Sequence, residues 1–141
     1  MKPIFELILF SSNTPEYVNP ILNIIQKDKK YFDFVLYRHH ITLDDEGNNV
    51  KNLELLGRDL KKMIIIDDIS RYFKLQKENG INIKPFYGNV NNDGNTLKIL
   101  GEILQKIRKD AVNTGDIRIS LDKFKKQLYP DVVDKSEVEM N

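Results

Sequence analysis

The chain has 141 residues, enough for one domain with a hydrophobic core of its own. With 22 basic and 21 acidic residues its formal charge is +1, which gives no general attraction to nucleic acid or to an anionic membrane. Cysteine is absent, so disulfides, thiolate metal sites and a cysteine nucleophile are excluded. No apolar run approaches the roughly 20 residues that span a bilayer, and we expect no membrane span in these residues.

The first half of the sequence predicts a strand, a helix, a second strand and a hairpin. Residues 4–10 are mostly apolar and stop at a polar Ser-Ser-Asn turn, which is typical of a buried strand. Residue 13 or 14 can cap a following helix, and residues 32–37 predict the second strand. The acidic, glycine-containing run 44–49 is typical of a hairpin tip. The apolar face of the helix is predicted from four side chains at helical spacing: Val18, Ile21, Leu22 and Ile25.

The second half contains the most distinctive run of the chain, Met-Ile-Ile-Ile over residues 63–66. It ends at two adjacent carboxylates, Asp67 and Asp68, and its β-branched composition predicts a strand buried on both faces. We expect a brief helical or irregular link before it and a small strand over residues 81–86 after it, followed by a polar loop over residues 88–95. A last amphipathic segment covers residues 117–129. Between the loop and that segment, an apolar stripe marks a helix: Leu97, Leu100, Leu104 and Ile107.

This order of elements predicts an α/β fold with a parallel sheet. Ligands of such sheets bind just outside the carboxyl ends of the strands. Ser11 and Ser12 end the first strand, Asp67 and Asp68 end a central one, and Lys51 lies on the hairpin between them. A hydroxyl, an ammonium and a carboxylate pair are the groups that hold a phosphoryl oxygen, neutralise its charge and fix a magnesium ion. The sequence therefore predicts a phosphate and magnesium site at this edge.

Simpler interpretations stay open for the same residues. The two aspartates can form a solvated turn, with the second of them capping the next segment. The two serines can serve as a helix N-cap, which is compatible with phosphate binding, and the lysine can be an ordinary surface cation. His39 and His40 raise the idea of zinc. We disfavour it, because adjacent residues on an extended strand point to opposite faces and only one could serve a given site.

Four segments, taken in order, resemble the haloacid-dehalogenase superfamily, and within it the FCP/SCP-type (NLI-interacting-factor) phosphatase domain. They are FELILFSSN, YRHH, NVKNLELLGRD and MIIIDDIS. The resemblance implies a Rossmann-like sheet with helices on both faces and a small inserted β-hairpin. It also implies roles for six residues: phosphate binding by Ser11, charge neutralisation by Lys51, peptide binding by Arg38 and Ser12, and magnesium binding by Asp67 and Asp68.

The sequence departs from this family at its first motif, Asp-x-Asp-x-Thr, which supplies the nucleophile and the general acid. No Asp-x-Asp occurs in the 141 residues, so we expect the remaining groups to bind and not to catalyse. The N-terminal motif strand is then missing from the sheet. Either the two neighbouring strands close onto each other, or a second copy of the chain fills the space as a homodimer.

Within the family, LFSSN, FKLQKENGINIKPFYG and GDIRISL are similar to the phosphatase-like receptor subunit of the mitochondrial TIM presequence translocase. This likeness implies a catalytically silent domain that binds proteins or presequences at the inner membrane or in the intermembrane space. The alternative is a magnesium-dependent protein serine/threonine phosphatase of the RNA polymerase II CTD type. That enzyme would bind a phosphopeptide in the nucleus or cytoplasm, with its nucleophile motif upstream of these residues.

The resemblance and the composition together predict the division of the chain. Residues 1–110 form the C-terminal part of the FCP/SCP-like domain, and residues 111–130 form a helical extension. Residues 131–141 are acidic and poor in large apolar side chains, a composition typical of a disordered tail.

Overall fold

The computed structural model describes residues 5–85 and 95–129, and the chain divides into two compact units, Met1–Asn52 and Leu53–Asn141. The described strands form three two-stranded sheets, two of them parallel and one antiparallel. The mixed α/β character predicted from the sequence is therefore confirmed, whereas one continuous Rossmann-like sheet is not shown. The missing motif strand stays a prediction.

The first unit is a βαβ arrangement followed by a hairpin. Strand β1 (Ile8–Phe10) pairs in parallel with β2 (Phe34–Leu36), and helix α1 (Pro15–Ile25) connects them. Strands β3 (Thr42–Leu43) and β4 (Asn49–Val50) pair antiparallel. All four strands and the helix lie where the sequence predicts them, although β1 and β2 are shorter than expected.

Local chemistry accounts for the ends of these elements. Pro15 occupies the first turn of α1, where its missing N–H costs nothing, and Thr14 precedes it in an extended conformation. At the hairpin tip, the Asp44 carboxylate accepts hydrogen bonds from the backbone N–H groups of Glu46 and Asn48, both within 2.9 Å. Gly47 has φ +82°, which other residues rarely adopt, and so it closes the turn.

The buried face of α1 is narrower than the sequence indicates. Val18 and Leu22 are each 6% exposed, whereas Ile21 and Ile25 are 44% and 52% exposed. The prediction of four buried side chains is therefore wrong for two of them. An apolar spacing pattern shows how wide an apolar stripe is, and the width of the covering layer decides how much of that stripe is buried.

The second unit begins with a parallel strand pair, β5 (Ile65–Asp67) and β6 (Gly80–Asn82). A 3-10 helical segment with kinks at Phe73 and Gln76 connects the two strands over residues 70–79. The sequence does not predict this segment, because its irregular turns leave no 3.6-residue apolar period. The predicted strand over residues 81–86 corresponds to β6, and residues 86–94 lie outside the described residues, as does the tail 131–141.

Strand β5 is not buried on both faces as predicted. Ile65 and Asp67 are each 9% exposed, but Ile66 between them is 36% exposed. Successive side chains of a strand point to opposite faces, so one face of β5 is covered and the other is open to solvent. Ile65 packs with Leu53 and Phe73 in a small core, bordered by Leu56, Leu60 and Met63.

Two helices complete the second unit, α2 (Thr96–Thr114) and α3 (Ile117–Phe124). Gly115, at φ +74°, ends α2 in the left-handed conformation and lets the chain turn back, so that α3 packs against α2. The predicted apolar stripe of α2 is confirmed at Leu100 and Ile107 and is wrong at Leu97, which is 70% exposed.

Asp116 caps helix α3 and pairs with Arg118. Its Oδ1 atom accepts the Arg118 backbone N–H at 3.0 Å, and the guanidinium lies 2.8 Å from Oδ2. Hydrogen bonding to Arg118 lowers the pKa of Asp116 to about 2. A carboxylate whose pKa is lowered on folding stabilises the fold above its unfolded pKa of about 3.9. This contribution is lost as the pH falls through the folded value.

Candidate functional site

Ser11 continues the ladder beyond the end of β1. Its backbone N–H donates to the Leu36 carbonyl at 2.9 Å, which holds the residue beside β2. Its Oγ atom accepts the backbone N–H of Asn13 at 3.0 Å and so shapes the turn into α1. A hydroxyl that accepts one bond still has a proton to donate to a ligand. The helix N-cap role foreseen for the serines is wrong, because Thr14 is the residue that precedes α1, but the turn that Ser11 shapes is compatible with a binding role.

Lys51 brings its ammonium group to the same strand end from far along the chain. Only 6% of the residue is exposed, and Nζ donates to the Phe10 carbonyl oxygen at 2.9 Å. Nζ also lies 5.3 Å from the centre of the Phe10 ring, within range of a cation–π interaction. The interpretation of Lys51 as an ordinary surface cation is wrong. The side chain is buried, and its ammonium group is held by the carbonyl of Phe10, the residue before Ser11.

Arg38 also contacts the turn after β1. Its Nε donates to the Ser12 carbonyl oxygen at 2.9 Å, and its backbone N–H donates to the Asn13 carbonyl at 3.0 Å. The side chain is otherwise exposed, and four further N–H donors of the guanidinium are not used in the bond to Ser12. We call the group formed by Ser11, Ser12, Arg38 and Lys51 the strand-end cluster.

The histidines next to Arg38 do not follow the extended geometry expected from the sequence. Residues Arg38–His40 form a 3-10 turn, and the rings of His39 and His40 lie 4.1 Å apart between centres. The premise that they face opposite sides is therefore wrong. His40 Nδ1 accepts the Tyr37 backbone N–H at 2.9 Å, so this nitrogen serves the turn.

Asp67 and Asp68 lie at the carboxyl end of β5 in the second unit. Asp67 is 9% exposed, and its Oδ1 accepts the backbone N–H of Ile69 at 3.0 Å. Its backbone carbonyl accepts from the Asn82 side chain at 3.0 Å. The interpretation of the pair as a solvated turn capped by Asp68 is therefore wrong, because Asp67 is buried and is the residue that bonds to the next segment. Asp68 is exposed.

The two aspartates offer a limited set of metal ligands. Within residues 5–85 and 95–129, no group of three or more His, Asp or Glu side chains is arranged to hold a metal ion. Mg²⁺ usually keeps several waters and binds one or two carboxylates, so an adjacent buried and exposed pair is compatible with it. Such a donor set does not suit a cation that needs a cage of protein oxygens.

Sequence reasoning missed two buried amide side chains that support β5. Gln76 is 4% exposed, and its Oε1 accepts the Leu53 backbone N–H at 3.1 Å. Asn79 is fully buried, and its Nδ2 donates to the carbonyls of Leu60 and Met63 at 2.7 and 2.9 Å. They fix the chain that leads into the strand. In the sequence, the two amides are three residues apart and follow Tyr72 and Phe73, and this spacing is the signal that could have identified them.

The profile of the NLI interacting factor-like phosphatases matches residues 1–118. The match places the two units in the class of phosphatase-like α/β domains, as the resemblance of the four motifs predicts. The chain belongs to the NLI interacting factor-like phosphatase family.

The proteins similar to this chain include a CTD small phosphatase-like protein and TIM50 subunits of the mitochondrial import translocase. CTD small phosphatase-like protein 2 of Dictyostelium discoideum is 36% identical over 89% of the chain and 21% of its own length. The mitochondrial import inner membrane translocase subunit TIM50 of Candida glabrata is 37% identical over 60% of the chain and 17% of its own length. Human TIM50 is 27% identical over 88% of the chain and 33% of its own length. The chain thus spans at most about a third of these relatives.

Proposed function

We propose that this chain is a catalytically silent, protein-binding domain of the import-receptor type. The family and the TIM50 relatives support a role in protein handling. The observation that carries the protein-binding part of the proposal is the strand-end cluster, in which Lys51 and Arg38 are fixed by backbone carbonyls. The 141 residues hold no Asp-x-Asp pair to supply a nucleophile and an acid. They retain the groups that bind and lack those that react.

The charge of the strand-end cluster indicates which part of a partner it contacts. An ammonium and a guanidinium favour a phosphate or carboxylate group, with Arg38 suited to bidentate contact and Ser11 to a single hydrogen bond. Mitochondrial presequences are rich in arginine and poor in acids. A presequence partner would therefore bind through another surface, and the cluster would take an acidic or phosphorylated segment of a protein.

A magnesium-dependent phosphoprotein phosphatase is the second candidate function. The relative named CTD small phosphatase-like protein 2 supports it over most of the chain. When bound, magnesium would supply charge neutralisation for a phosphoryl group, with Asp67 and Asp68 as its protein ligands. The attacking carboxylate would have to come from outside these 141 residues, which is why we place this function second.

The two candidate functions predict different cellular locations. The TIM50 relatives support the mitochondrial inner membrane and intermembrane space, and the phosphatase alternative would fit the nucleus or cytoplasm. None of the described helices has the length and apolar character needed to cross a bilayer.

Among the described residues β1 pairs only with β2, so a second copy of the chain that adds a strand to this sheet stays a prediction.

Catalytic silence is tested by the turnover of p-nitrophenyl phosphate with added magnesium. We expect no release of p-nitrophenol above the rate in buffer, because the sequence contains no Asp-x-Asp pair to supply a nucleophile and a general acid. Clear turnover that depends on magnesium would contradict the proposal and favour the phosphatase. Lys51→Met distinguishes the source of any signal, since a contaminating phosphatase would be unaffected by this substitution.

A further inference from the structure

One exposed face of α2 borders an open depression of about 510 Å³, lined among the described residues by this helix alone, which we call the α2 groove. Gly101 lies in its middle, and a Cβ built on this residue meets no described atom within 4 Å. Leu97, 70% exposed, forms an apolar end. Among the described residues, Gln105 and four charged residues line the remainder, with three positive charges against one negative charge: Lys98, Glu102, Lys106 and Lys109. The groove is therefore a basic surface with an apolar patch and a bare helix backbone.

The chain leaves α3 beside this groove. Lys106, which lines the groove, donates from Nζ to Gln127 Oε1 at 3.0 Å. Two residues later, the Tyr129 hydroxyl accepts the Lys84 backbone N–H at 2.9 Å, and the Lys84 ammonium lies 4.7 Å from the centre of the Tyr129 ring. These contacts fix the point from which residues 130–141 continue.

The segment that continues from there has the opposite charge. Residues 131–141 read Asp-Val-Val-Asp-Lys-Ser-Glu-Val-Glu-Met-Asn, with four acids against one lysine and with three valines and a methionine. Such a composition cannot form a core of its own, but it can order on a complementary surface. Extended, the segment spans up to about 35 Å, whereas the groove from Leu97 to Lys109 is about 18 Å long.

We propose that residues 131–141 dock in cis along the α2 groove. The acidic side chains face Lys98, Lys106 and Lys109, and the apolar side chains cover Gly101 and Leu97. A tethered segment has an effective concentration in the millimolar range, so weak contacts of this kind are occupied within the chain before a free acidic peptide competes. The groove is thus a docking surface for the chain's own tail.

The absence of cysteine makes a direct test straightforward. Ser136→Cys gives the full-length chain a single thiol, which carries a nitroxide spin label. We expect the amide signals of residues 97–109 to lose most of their intensity at low ionic strength. They should recover at about 1 M salt, where the Debye length is about 3 Å. The double substitution Lys98→Glu and Lys109→Glu should restore them at low salt as well.

Three results would overturn the docking proposal. The first is full signal intensity over residues 97–109 at low salt. The second is a loss of intensity that survives the double charge reversal on α2. The third is an equal loss in isotope-labelled, unmodified chains mixed with spin-labelled chains that carry no isotope, which would show contact between copies. As a matched control, Lys27→Glu with Lys29→Glu in the first unit should leave the effect unchanged.

Discussion

Replacing Lys51 by methionine should lower the free energy of unfolding by about 2 kcal/mol, as expected for the loss of a buried hydrogen bond made by a charged donor. Methionine keeps an apolar stem of similar length, so packing around the residue is largely preserved. What disappears is the donor that satisfies the Phe10 carbonyl and the positive charge over the Phe10 ring. Urea unfolding measures this difference.

Lys27→Met provides the matched control for that substitution. Lys27 lies in the same unit and is exposed, and its replacement should change the free energy of unfolding by less than about 0.5 kcal/mol. If the two variants were equally stable, Lys51 would not be the buried anchor of the strand-end cluster.

Gly80→Ala should destabilise the protein by about 3 kcal/mol, at the upper end of the usual range for overpacking. Gly80 has φ −102° and ψ 139°, an extended conformation that alanine adopts readily, so the backbone is not the obstacle. A Cβ at this position would overlap the ring of Phe73, which packs with Leu53 and Ile65. The ring would have to leave its place in the core.

Gly101→Ala should have the opposite sign. The residue lies inside α2, where a Cβ meets no atom of the described residues within 4 Å, and alanine favours a helix over glycine by about 1 kcal/mol. Thermal or urea unfolding of both variants gives the comparison. A neutral Gly80→Ala would show that the Phe73 ring does not fill the space at Gly80, and a destabilising Gly101→Ala would show that a Cβ at Gly101 is not accommodated.

The sequence predicts the first unit well because its signals are local. The Ser-Ser-Asn turn, Pro15 at the start of α1 and Gly47 at the hairpin tip each specify a backbone conformation within a few residues. The approach of Lys51 to β1 joins positions 41 residues apart in the sequence. It is foreseen only through the rule that ligand-binding groups gather at the carboxyl ends of parallel strands.

The features that the sequence does not reveal depend on tertiary contacts. The 3-10 segment between β5 and β6 is set by packing of Phe73 and by the buried amides of Gln76 and Asn79, none of which leaves a periodic pattern. Ile21 and Leu97 belong to apolar stripes and are nevertheless exposed. Whether a position on a helix stripe is covered depends on the neighbouring layer, and hydrophobic spacing does not report that layer.

The central claim is that the strand-end cluster binds an anionic group of a protein partner. Fluorescence anisotropy with a serine peptide and its phosphoserine form tests it most directly. We expect tighter binding of the phosphorylated peptide and a loss of about tenfold, or about 1.4 kcal/mol, in both Arg38→Gln and Lys51→Met. Lys27→Gln, which removes a charge elsewhere in the same unit, should have no effect. Equal affinity for the two peptides, or binding unchanged in Arg38→Gln and Lys51→Met, would contradict the claim.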